Sequence, residues 1–165
     1  MTNFNSLNAR PIGDISEEHV HRITDFLNNL LANEYALFTK TLNYHWNVTG
    51  PRFHSMHNFL EDQYKSLLTI MDDVAERVRV VGETPISTVS SLKNAMDITE
   101  TNGERLSAND MLKDLFETHL MIQTSMKNLV KDESLFTDDP GTEDFLVGLL
   151  QTHEEMSWMI KSHLV

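Results

Sequence analysis

His45 and His57 stand twelve positions apart on either side of Gly50-Pro51, and an acidic pair four residues apart, Asp72 and Glu76, follows. Imidazole and carboxylate donors without sulfur suit iron, manganese or zinc. The chain has no cysteine, which excludes thiolate metal sites, disulfides and a cysteine nucleophile. His57 and Glu61 are also four apart, the spacing that places two side chains on one helix face. Like charges at that spacing, as in Asp72 and Glu76, are mildly destabilising unless a cation lies between them. The other histidines read differently. His119 and His153 fall on apolar stripes and are expected as core histidines, while His19, His21 and His163 lie near helix ends with no partner motif.

The elements that must position these residues are helices. Ser16 reads as an N-cap with Ile15 and Val20 as a hydrophobic staple, and Val20, Ile23, Leu27, Leu30, Leu31, Phe38 and Leu42 recur at helical spacing up to about Val48. His45 lies on that stripe. Gly50-Pro51 stops this helix. A second, unbroken helix is expected from Phe53 to Val81, closed by Gly82 and Pro85, then a polar stretch over 83–106 with a short helix from Ser87 to Met96. Ser107, with Asp110 at the capping-box position, starts a third helix, and Asp139-Pro140 read as N-cap and first residue of a fourth. Two antiparallel hairpins joined by a long crossover make an all-α, ferritin-like four-helix bundle, one domain over 1–165 with 1–15 as a short N-terminal tail.

This arrangement poses a problem of distance. His57, Glu61, Asp72 and Glu76 point in nearly the same direction from the second helix, but fifteen residues of helix span about 22 Å. One chain with a straight helix cannot bring His57 and Asp72 to one metal. A twofold dimer with antiparallel second helices can, because an isologous interface sets the histidine end of each chain against the carboxylate end of the other. Each of two identical sites would then hold His45 and His57 from one subunit with Asp72 and Glu76 from its partner.

Composition narrows the function classes. The 165 residues suffice for one domain with a real core. Twenty-five acids against 13 bases give a net charge of −12, a surface that attracts cations and repels phosphate backbones. The first 22 residues hold only Arg10 and Arg22 as bases, so no basic arm for nucleic acid is expected. No apolar run is long enough to span a bilayer, and the N-terminal residues lack a basic segment followed by an apolar one. A cytoplasmic, membrane-free protein is the expectation.

The segments "NYHWNVTGPRFHSMHNFLEDQY" and "DDVAERVRVVG" closely resemble the Dps family, the miniferritins named DNA-binding proteins from starved cells, and the resemblance extends through "HEEMSWMI" over nearly the whole chain. It implies a shell of twelve subunits built from twofold dimers, which oxidises Fe2+, preferentially with H2O2 rather than O2, and stores the ferric mineral inside. It further implies that His45, His57, Asp72 and Glu76 are ferroxidase ligands for two irons per site, with the carboxylates supplied by the twofold-related subunit. Glu61 matches an acidic position associated with the second iron, and Trp46 the tryptophan beside the site. Family pores are lined by acids near the start of the fourth helix; the candidates are Asp138, Asp139, Glu143 and Asp144, foremost Asp144. The competing reading is a DNA-compacting stress protein with little catalytic role. The absent lysine-rich tail and the charge of −12 argue against direct DNA binding, leaving contacts bridged by metal ions.

Overall fold

The computed structural model describes residues 15–100 and 106–164; residues 1–14, most of the expected tail, lie outside the described residues. Among the described residues, five α-helices follow in order: α1 (Glu17–Asn47), α2 (Phe53–Val81), α3 (Val89–Ala95), α4 (Ala108–Val130) and α5 (Pro140–Ser162), with a 3-10 turn at Glu133–Phe136. The four long helices form two antiparallel hairpins, α1–α2 and α4–α5. The crossover between them carries α3, which is shorter at both ends than the expected 87–96.

The caps explain the boundaries. Ser16 accepts the His19 N–H at 3.2 Å, Ser107 accepts that of Asp110 at 3.2 Å, and Asp139 accepts that of Thr142 at 3.0 Å ahead of Pro140. Each satisfies one of the donors that a helix start leaves open. At the other end of α2, Gly82 takes φ 109° and its N–H returns to Arg79 and Val78 carbonyls, the left-handed stop that glycine adopts without a Cβ penalty.

Leu27, Leu37, Leu60, Leu67, Leu112, Leu115, Leu146 and Ile160 are fully buried between the helices, each worth about 1.5–3 kcal/mol of transfer free energy. The 3-10 turn, which sequence periodicity does not anticipate, closes one end of the bundle with buried Leu135 and Phe136. Asn33 anchors the crossover, its Oδ1 accepting the backbone N–H of Asp97 at 2.8 Å and of Ile98 at 3.2 Å. The Arg77 guanidinium lies 5.2 Å over the Phe145 ring.

Candidate metal centre

The turn at Gly50-Pro51 folds the end of α1 against the start of α2. Gly50 holds φ 113°, and the chain reverses tightly enough for the two imidazoles to stack, with ring centroids 3.8 Å apart and planes at 23°. His45 Nδ1 donates to the His57 carbonyl at 2.9 Å, and His57 Nδ1 donates to the His45 carbonyl at 3.0 Å. A carbonyl can only accept, so each Nδ1 carries its proton. In the neutral ring Nε2 then keeps a lone pair for a metal, the tautomer that a partner on the other nitrogen imposes at metal sites.

Glu61, one turn along α2 from His57, completes the cluster. Among the described residues, His45, His57 and Glu61 are the group whose ligand atoms lie within 4.8 Å of one another. Lys65 pairs with Glu61 at 2.5 Å, and this hydrogen bond with its positive charge holds the Glu61 carboxyl below its usual range; Lys65 is raised in return. Tyr64 packs edge-on to the His45 ring, centroids 5.2 Å apart, and Phe53 tilts against His57 at 5.2 Å. Tyr64 lies seven residues beyond His57, two helical turns on the same face, so the sequence held the signal for it.

Asp72 and Glu76 stand elsewhere. Both are exposed, further along an α2 that runs without a break to Val81, and neither joins the histidine cluster of its own chain. Asp72 borders an open groove of about 510 Å³ whose walls include Leu31, Leu68, Met71, Ala75 and Leu92. Leu68, at 54% exposure, is an apolar side chain left facing outward there. Trp46 is exposed as well, at 67%, and within one chain the aromatic ring against His45 belongs to Tyr64. Of the acids near the start of α5, Asp138 and Asp144 are exposed and Glu143 is half-buried. Asp139 is buried, and both its oxygens accept from Thr142.

The ferritin-like domain family matches this chain over residues 24–165. DNA protection during starvation protein 2 of Bacillus anthracis is 30% identical over 144 residues, covering 87% of this chain and 97% of that protein. The chain belongs to the Dps family of ferritin-like proteins. A low temperature-induced protein of Nostoc sp. is 35% identical over 91% of this chain and 84% of its own length. Among solved structures, the Dps protein of Bacillus brevis superposes with a TM-score of 0.84 at 29% identity, covering 92% of this chain and all of that one. The four-helix Dps fold is thus shared across the chain. Among the described residues, no helix is long and apolar enough to cross a membrane.

Proposed function

We propose that this protein is a ferroxidase and iron-storage miniferritin, which oxidises Fe2+ at di-iron sites shared between twofold-related subunits and stores the ferric product within a twelve-subunit shell. The observation that carries the reading is the reciprocal pair of Nδ1 bonds, which leaves two Nε2 lone pairs beside the Glu61 carboxylate. Two neutral imidazoles and one carboxylate on one chain are an incomplete set for two divalent ions. Asp72 and Glu76 of the partner subunit would complete it, and the apolar groove beside Asp72 supports that packing.

Fe2+ is the substrate in this reading. Each of two ions gives one electron, and peroxide takes both and leaves as water or hydroxide, so no hydroxyl radical is released. The protein's part is placement and charge: the carboxylates offset the charge gained on oxidation, and the locked imidazoles hold their geometry without reorganising. Lys65 occupies Glu61 until a metal ion displaces it. Asp144, exposed near the start of α5, is the foremost candidate for admitting iron through the shell, whereas Asp139 is taken up by its cap. The family and the net charge of −12 support a cytoplasmic role in protection against oxidative damage without direct binding to DNA.

Anaerobic Fe2+ titration followed by a peroxide pulse tests this. Wild type should oxidise the bound iron rapidly, and a variant carrying His45→Ala and His57→Ala should lose the fast phase while still assembling. Wild-type rates in that variant would refute the assignment.

A further inference from the structure

Three titratable side chains that the metal centre does not use meet in the middle of the bundle. Glu34 of α1 and His153 of α5 are each 0% exposed, and His119 of α4 is 1% exposed. His119 Nδ1 and His153 Nδ1 are 3.0 Å apart and share one hydrogen. On the other side of the His153 ring, Nε2 lies 2.9 Å from Glu34 Oε1. That contact has ion-pair length without the alignment of a hydrogen bond, and the second Glu34 oxygen has no hydrogen-bond partner. A carboxylate so placed depends on the charge of His153, since burial of an unpaired anion is costly.

The charged and titratable surroundings are few. From α4, Gln123 Nε2 donates to the His153 carbonyl at 3.1 Å and to Ser157 Oγ of α5 at 2.9 Å. Further along α1, Lys40 is buried, and it is paired to Asp114 of α4. On α5, Glu154 turns outward to Lys127. The buried residues of α2 are apolar except Gln63, and the one buried residue of α3 is Leu92. In the crossover, Asp97 accepts from Asn33 at 3.3 Å, and among the described residues no second carboxylate pairs with His119 or His153.

We propose that Glu34, His153 and His119 form an acid-sensitive latch between the two hairpins, closed while the three share one proton and loosened when a second is added. With one proton the cluster is net neutral, whether that proton sits on His153 or on Glu34. Glu34 belongs to the first hairpin and both histidines to the second, so the ion pair bridges the halves of the bundle. A second proton leaves a positive charge in a dry core with no anion to meet it. Burial, with the neighbouring His153, already holds His119 well below the ordinary imidazole range, so the folded chain resists that proton and the unfolded chain accepts it.

The test is acid unfolding of the assembled, iron-free protein, followed by helical circular dichroism, for wild type, H119Q and E34Q. H119Q keeps an acceptor for His153 and cannot take the second proton. Its acid midpoint should fall, and the slope of stability against pH below the usual imidazole pKa should drop by about one proton per chain. E34Q removes the carboxylate that offsets the shared proton, so its midpoint should rise. A role in packing alone would raise both midpoints, and that result, or no shift in either, overturns the latch. Should H119Q fail to assemble, H119N is read by the same criterion.

Discussion

Replacing Asp114 by alanine strikes another polar contact between the hairpins, and its cost can be worked out from the structure. Lys40 Nζ lies 3.0 Å from Asp114 Oδ2 and 3.2 Å from Thr118 Oγ1, and Tyr44 donates its hydroxyl to Asp114 Oδ2 at 2.5 Å. The Lys40 side chain is 6% exposed and that of Asp114 is 33% exposed. Removing one partner of a buried pair costs about 3–5 kcal/mol, chiefly because the other charge is stranded. Water reaches the Asp114 side of this pair, which lowers the Coulomb part to about 2–3 kcal/mol. The Tyr44 hydroxyl, on a side chain 2% exposed, loses an acceptor at a further cost of about 1 kcal/mol. The sum, about 3–4 kcal/mol, is a large share of the 5–15 kcal/mol that typically holds a domain together. Guanidinium unfolding of the iron-free protein measures it. The double variant K40M/D114A should recover most of the loss, since no charge is then stranded. A loss below about 1 kcal/mol for D114A, or no recovery in the double variant, would refute the reasoning.

Three further outcomes follow from single features. Gly50→Ala meets no atom within 4 Å of its new Cβ, so its cost is the strain of φ 113° alone, about 1–2 kcal/mol; Gly50→Asn should cost less, as urea unfolding of the two variants will show. Lys65→Ala frees Glu61 from its competitor and should tighten Co2+ binding at the histidine cluster about two- to fivefold at neutral pH, read from the cobalt d–d absorption. Stability should decline as pH falls below 6.5, the ordinary value for His119. The unfolded chain protonates this side chain there while the folded chain keeps it neutral, so stability is complete above that pH and drains away in acid. Denaturant midpoints across that range check the sign.

The long helices were legible because each carries its own punctuation. Ser16, Ser107 and Asp139 cap as their types and positions imply, and Gly82 stops α2 where the stripe ends. The 3-10 turn was not legible, since four residues are too few for a period to declare itself. Glu34 and Lys40 escaped for another reason. Periodicity reads apolar residues, yet Glu34 stands four beyond Leu30 and three before Leu37, an inward position that the spacing alone discloses. For the metal centre, residue types and spacing named His45, His57 and Glu61, and the 22 Å span separated Asp72 and Glu76 from them. The reciprocal histidine-to-carbonyl bonds depend on the three-dimensional course of the Gly50-Pro51 turn, so the tautomers could not be read beforehand. Asp139 shows the converse: one residue suited two roles in the sequence, and the Thr142 contacts commit it to the cap.

The central claim is that the iron site is shared between chains, and subunit mixing tests it most directly. One variant carries His45→Ala and His57→Ala, the other Asp72→Ala and Glu76→Ala, and each alone should assemble and fail to oxidise Fe2+ rapidly on a peroxide pulse. Co-assembled in equal amounts, some twofold pairs join an intact histidine half to an intact carboxylate half, and part of the fast phase should return. A mixture that assembles and remains inactive would contradict the shared site.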